Sequence, residues 1–153
     1  MAWLPTPPPS VPAPPATPTT TVSGDLNTAN SGSSNADVIS IGGDNNASIS
    51  TGSGDDQVTI GDDVNAKIDL GSGTNALDVA DDVNGTVLGG SGNDTVRVGD
   101  DANAKIDLGN GDNRLQVGGD ANASISTGSG DDDVKIVGDL NSNISLGSGA
   151  DDL

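Results

Sequence analysis

The 153-residue chain contains no cysteine, histidine, phenylalanine, tyrosine or glutamate, and Trp3 is its only aromatic residue. Without cysteine or histidine, disulfides, zinc sites, thiol chemistry and histidine-based triads are excluded. Positive charge is scarce: 5 Lys+Arg stand against 23 acidic residues, all Asp, for a formal net charge of −18. That balance argues against nucleic acid as a partner, since its recognition needs a basic surface. No run of about 18 apolar residues exists, so nothing reads as a membrane span. Leu, Ile and Val number 10, 9 and 13. With this charge, that apolar content falls at the edge of the disordered range. Either the chain is disordered, or a narrow core is built from Val, Ile, Leu and Ala.

The residues that are present divide the chain in two. All 8 prolines lie in the first 18 residues, and all 23 glycines lie from Gly24 onward. Residues 1–20 are Pro/Thr-rich and are expected to form an extended, polyproline-like, largely disordered tail. The tail lacks the basic start and apolar run of a secretory signal peptide. Its one large apolar pair, Trp3 and Leu4, is either solvated or docks on this or a neighbouring subunit.

From residue 21 a period of 19 governs the sequence. Gly-x-Gly recurs at Gly52/Gly54, Gly71/Gly73, Gly90/Gly92, Gly109/Gly111, Gly128/Gly130 and Gly147/Gly149, with no insertion. Residues 44–58 and 120–134 match at 13 of 15 positions, a sign of growth by duplication. One column reads Ile39, Val58, Leu77, Val96, Leu115, Val134 and Leu153; two residues on comes Val22, Ile41, Ile60, Val79, Val98, Val117 and Ile136. A third holds Ile49, Ile68, Val87, Ile106, Ile125 and Ile144, with a column of small residues such as Ala47 and Ala66 beside it. Polar residues such as Thr59, Arg97 and Lys135 alternate with these columns, the pattern of strands with one buried face. Neither strand buries its apolar face alone, but stacked coils do. The expected fold is all-β: a single flattened β-solenoid of seven 19-residue coils over residues 21–153, each coil adding about 4.8 Å. An exact period over six steps speaks against disorder in this region.

Two turns separate the strands of each unit. The first is Gly-rich, and Gly89-Gly90-Ser91-Gly92-Asn93-Asp94-Thr95-Val96-Arg97 matches the nonapeptide G-G-x-G-x-D-x-U-x in full. Glycines supply positive-φ turns that let carbonyls converge. The column Asp56, Asn75, Asp94, Asn113, Asp132 and Asp151, with Asp37 as a weak first member, adds hard side-chain oxygens. Calcium takes six to eight such oxygens. Gly, Asp and Asn also make ordinary turns, but the spacing is shared by six coils. The expected calcium ligands are therefore Gly52, Gly54, Asp56, Gly71, Gly73, Asn75, Gly90, Gly92, Asp94, Gly109, Gly111, Asn113, Gly128, Gly130, Asp132, Gly147, Gly149 and Asp151.

The second turn carries two unbroken columns. Asn27, Asn46, Asn65, Asn84, Asn103, Asn122 and Asn141 read as a structural amide ladder along the axis. Asp25, Asp44, Asp63, Asp82, Asp101, Asp120 and Asp139 form the other. Charges about 4.8 Å apart repel by roughly 0.9 kcal/mol even in water. Either cations offset this, or each Asp caps its turn through backbone bonds, the reading preferred here.

On these motifs the body resembles the RTX family of calcium-binding β-rolls. The 19-residue unit is similar to that of the calcium-dependent ice-binding region of a bacterial RTX adhesin. In Thr51 to Asp69, the residues Gly52, Gly54, Asp56, Val58, Ile60, Gly61, Val64 and Ile68 stand at matching places. The resemblance implies calcium in the Gly-rich turn, a right-handed solenoid and export to the cell surface or beyond without a cleaved N-terminal signal. An ice-binding face needs regular outward Thr and Asx ranks. Here the Thr positions hold Ser53, Ser72, Ser91, Asn110, Ser129 and Ser148, and the Asx rank is broken by Thr74 and Ala150.

The span 21–153 is seven whole periods, and Thr21-Val22-Ser23-Gly24-Asp25 continues the register left at Leu153. Solenoids normally carry polar caps, and none is evident at the C-terminus. Against an open first coil, Asn30 stands in an Ile column, and Ser33 and Asn35 replace glycines, as in a worn cap. Head-to-tail joining of this kind does not close and builds a filament, with Thr21, Val22, Leu26, Leu146, Leu153 and Trp3 as the expected assembly residues. The expected function is a calcium-stabilised solenoid subunit of an extracellular filament or matrix fibre, its tail available to a surface or matrix component. The competing readings are a monomeric calcium-dependent adhesin or ice-binding module, and a cytoskeletal filament that resembles the bactofilins in its Pro-rich tail and capless solenoid. No enzyme is expected, because the Asp residues repeat along turns and do not converge on one site.

Overall fold

The computed structural model describes residues 19–153; the segment 1–18, with Trp3 and Leu4, lies outside the described residues. Strands are the only regular elements among those residues. Each coil contributes one four-residue and one two-residue strand. These are β1 (Thr19–Val22), β2 (Asn30–Ser31), β3 (Val38–Ile41), β4 (Ile49–Ser50), β5 (Gln57–Ile60), β6 (Ile68–Asp69), β7 (Ala76–Val79), β8 (Val87–Leu88), β9 (Thr95–Val98), β10 (Ile106–Asp107), β11 (Arg114–Val117), β12 (Ile125–Ser126), β13 (Asp133–Ile136) and β14 (Ile144–Ser145).

The long strands form one seven-stranded parallel sheet in the order β1-β3-β5-β7-β9-β11-β13, and the short strands form a second, β2 to β14. Every pairing joins residues 19 apart, as in Val58↔Leu77, Val96↔Leu115 and Ile106↔Ile125. The chain is therefore a β-solenoid of seven coils, about 34 Å long at the usual strand spacing. The first strand begins at Thr19, two residues before the expected boundary, because Thr19 and Thr20 pair with Val38 and Ile39. The turns stack in register as well, through parallel bridges such as Ser72↔Ser91 and Val83↔Ala102.

The core is a stack of columns. The three aliphatic columns expected from the sequence line the interior, except for Leu153, the end member of the first, which is exposed. Two further columns are inside as well. One holds Leu26, Asn45, Val64, Val83, Ala102 and Ala121, in the Asp/Asn-rich turn. The other holds Thr51, Leu70, Leu108 and Thr127, just before the Gly-rich turn, where Thr51 and Thr127 donate their hydroxyls to the carbonyls of Leu70 and Leu146. On the outer face of the long-strand sheet, Arg97 pairs with Asp78 and Arg114 with Asp133 across neighbouring coils, at 3.9 and 3.4 Å. Exposed pairs of this kind contribute little, at most about 1 kcal/mol. The fold therefore rests on the aliphatic columns and the ladders.

Asn45 is the exception in the core. It is fully buried between Leu26 and Val64 in its column, and neither amide atom has a hydrogen-bond partner. A buried, unsatisfied polar group costs about 1–3 kcal/mol. Replacing Asn45 with Val, the residue of the next coil, is expected to raise the unfolding free energy by roughly that amount. Denaturant unfolding measures it, and an unchanged or lower midpoint would refute the assignment.

Candidate metal centre

The Gly-rich turn leads from each short strand to the next long one. All twelve glycines of the six Gly-x-Gly turns have positive φ, with Gly90 at 103° and Gly92 at 115°, and no other described residue does. Side chains are doubly excluded there, since a Cβ on Gly90 or Gly92 would run into the carbonyl of Gly71 or Gly73 one coil below. In the first coil Ser33 and Asn35 occupy these positions, and the turn is built differently. The backbone N–H and hydroxyl of Ser33 donate to Asp37 Oδ2 at 2.7 and 3.2 Å.

Behind each turn stands the Asp/Asn column. Asp56, Asn75, Asp94, Asn113 and Asp132 are at most 2% exposed, whereas Asp151, in the last coil, is partly exposed. Every Oδ1 accepts the backbone N–H of the column member one coil earlier: Asp37 to Asp56 at 2.7 Å, Asp56 to Asn75 at 3.0 Å, Asn113 to Asp132 at 2.9 Å and Asp132 to Asp151 at 3.1 Å. The second side-chain atom faces the turn. Asn113 Nδ2 donates to the carbonyls of Gly109, Gly111 and Thr127, at 3.3, 2.9 and 3.2 Å. That position is thus ringed by carbonyl oxygens, two from the same turn and one from the next coil. Thr127 joins it from a column whose mixture of Thr, Leu and Gly gave no functional signal in the sequence.

Where the column residue is Asp, an oxygen replaces that amide. Oδ2 of Asp56, Asp94 and Asp132 is buried with no hydrogen-bond partner. A Cβ on Gly89 would meet both Asp94 Oδ2 and the carbonyl of Leu108, so the two oxygens border one small space. Burial is the main reason that the Asp94 carboxyl is pushed above the usual range; the backbone and side-chain bonds from Asn75 partly offset it. A lone buried carboxylate beside carbonyls is stabilised by a positive partner or by taking up a proton. Carboxylate and carbonyl oxygens suit a hard cation, with water filling the remaining positions. No three acidic side chains converge among the described residues, so one carboxylate and the turn carbonyls would have to hold such an ion.

The second turn is a different arrangement. The amide ladder is complete: Asn46 Nδ2 donates to Asn27 Oδ1, and the pattern repeats through Asn65, Asn84, Asn103, Asn122 and Asn141 at 2.9–3.3 Å. The neighbouring Asp column caps, but it caps the coil above. Oδ1 of Asp25, Asp44, Asp63, Asp82, Asp101 and Asp120 accepts the backbone N–H of the Asp 19 residues on. Charge still accumulates along this edge. Asp101, then burial, then Asp82, Asp81 and Asp120 raise the Asp100 carboxyl above its ordinary value.

The expected assembly residues are dispersed. Leu26 is buried, Val22 and Leu146 are partly buried against the core, Thr21 is exposed, and Leu153 is exposed on the last coil. The last coil also exposes Val137 and Leu140, which the sequence reading did not single out.

The raised carboxyls set the sign of the pH response. A carboxyl whose folded pKa lies above its unfolded value opposes folding when ionised, and this loss is relieved as pH falls through the folded value. Asp100 and Asp94 act in this sense. Asp107, lowered chiefly by its hydrogen bond from Lys105, acts in the opposite sense and loses its contribution on acidification. With divalent cations chelated, the β-type circular dichroism lost at pH 7 is expected to return as pH is lowered toward the ordinary carboxylate range, about 4. No gain in that signal over the interval would contradict the reading.

Comparison with known proteins finds no match to this chain among family models, curated proteins or solved structures.

Proposed function

We propose that this protein is a calcium-stabilised structural β-solenoid that joins head to tail into an extracellular filament or matrix fibre. The observation that carries the assembly is the common polarity of the second-turn ladders. Each coil gives its Asn amide N–H and its Asp backbone N–H to the coil before it. Asn27 at one face therefore presents Nδ2, and Asn141 at the other presents Oδ1. A second copy stacked in the same direction completes both ladders.

The last coil adds an apolar surface, with Val137 62%, Leu140 46% and Leu153 66% exposed. Asp152 already pairs with Asp133, so the open backbone of β13 is at Lys135 and Ile136. In the shared register, Thr21 and Val22 of the incoming copy take those positions, while its Thr19 and Thr20 leave the sheet. A contact that joins unlike faces repeats without closing, so it makes a filament. Calcium as the resident ion is supported by the buried, unpartnered carboxylates behind the Gly-rich turns and by the RTX-like nonapeptide at Gly89–Arg97. An extracellular site follows from the same reading, because weak calcium sites need the high calcium found outside cells.

Negative-stain microscopy in millimolar calcium is expected to show filaments that disappear on chelation. Leu140→Asp is expected to keep the β-type circular dichroism of the subunit and to raise the critical concentration for assembly about tenfold or more, equivalent to roughly 1.4 kcal/mol or more per contact. A monodisperse monomer in millimolar calcium would overturn the assembly. If that monomer also depressed the freezing point of ice, the ice-binding module would be the better reading.

A further inference from the structure

We propose that the Asp/Asn choice in the buried column is a coil-by-coil code for ion occupancy. Asp56, Asp94 and Asp132 each hold a calcium ion, while Asn75 and Asn113 close the intervening turns with their own amides. The inference rests on the calcium reading above and narrows it from six Gly-rich turns to the three whose column carboxylate is buried and unpartnered.

The column alternates strictly over its five interior members: Asp56, Asn75, Asp94, Asn113, Asp132. All five are buried to the same degree and use Oδ1 in the same way, as the acceptor for the backbone N–H one coil earlier. They differ at the second atom, apart from a further bond that Asp94 Oδ1 accepts from the Asn75 side chain. Asn113 Nδ2 reaches three carbonyl oxygens, and Asn75 Nδ2 reaches the carbonyl of Gly73 at 3.4 Å and Asp94 Oδ1 at 2.9 Å. The amide places positive hydrogens among the oxygens and leaves no need for an ion. In the same place Asp56, Asp94 and Asp132 put an oxygen that finds no donor.

Asp37 is the internal control. It is a buried carboxylate of the same column, yet in its coil Ser33 replaces the first turn glycine and supplies two donors to Oδ2. Where the protein provides the donors itself, the carboxylate is satisfied; where glycines occupy the turn, it is not. The alternation also has an electrostatic consequence. Doubly charged ions in adjacent coils would lie about 4.8 Å apart, whereas ions in every second coil lie roughly 9.6 Å apart. The Asn coil between them is neutral, and Asn75 donates both its backbone and its side-chain N–H to Asp94 Oδ1.

The test is an ion count on the purified full chain, stripped of metal and titrated with calcium by equilibrium dialysis, alongside D94N, D56N/D94N/D132N and N75D/N113D. D94N is expected to bind about one ion fewer than the unaltered chain and the triple variant about three fewer. The triple variant is also expected to keep its β-type circular dichroism in EDTA, where the unaltered chain loses it. N75D/N113D is expected to bind up to two ions more and to need more calcium to fold. If the triple variant binds as many ions as the unaltered chain, the placement falls while the calcium reading stands. If the unaltered chain binds no calcium and folds equally well in EDTA, both fall.

Discussion

Every residue of this solenoid lies against its own counterpart one coil away, and the rest of the structure depends on that like-on-like contact. For Ile on Ile and Val on Leu the contact is favourable, because stacked aliphatic columns exclude water that a single coil could not. For Asn on Asn it is favourable again, since an amide is both donor and acceptor and repeats along the axis. For Asp on Asp it is not, because a carboxylate only accepts and carries charge. The fold answers with offset bonding. In both Asp columns one carboxylate oxygen accepts a backbone N–H from an adjacent coil and does not confront the neighbouring carboxylate.

That answer uses one oxygen of each carboxylate. On the exposed second turn the other oxygen faces water, and the remaining cost is the mutual repulsion that raises Asp100. In the buried first turn there is no water to face. The second oxygen of Asp56, Asp94 and Asp132 finds no donor, that of Asp94 lies beside the carbonyl of Leu108, and the glycines of the turn leave no room for side chains that could donate. The same turn chemistry that makes the coil narrow thus creates a demand for positive charge. A cation bound there would link the long-range fold to the composition, by letting the coils of an acidic chain with few aliphatic residues stack.

Much of this was legible in the sequence because the period is exact. The 19-residue columns gave the number of coils, the parallel register, the aliphatic faces and the amide ladder. What stayed hidden has a common cause: columns of mixed chemistry do not look like columns. Asn45, Ala102 and Ala121 conceal a core column inside a turn rich in Asp and Asn, and Thr51, Gly89 and Thr127 conceal another beside the Gly-rich turn. Asp and Asn are interchangeable by turn propensity. Only the hydrogen bonds of Asn113 and the bare Oδ2 of Asp94 separate them. Leu26, expected at the assembly edge, is buried, whereas Val137 and Leu140, on the last described coil, are exposed.

The central claim is that the aliphatic columns and ladders stack only once the charge of the buried carboxylates is offset. Amide hydrogen exchange with and without calcium tests it most directly. The backbone N–H groups of Asp37, Asn75 and Asn113 donate to Oδ1 of Asp56, Asp94 and Asp132. Calcium is predicted to protect these amides and, because they too depend on stacking, those of the second-turn Asp ladder such as Asp82 and Asp101, and chelation to expose both. Equal protection of both turns in the presence and absence of calcium would contradict the account.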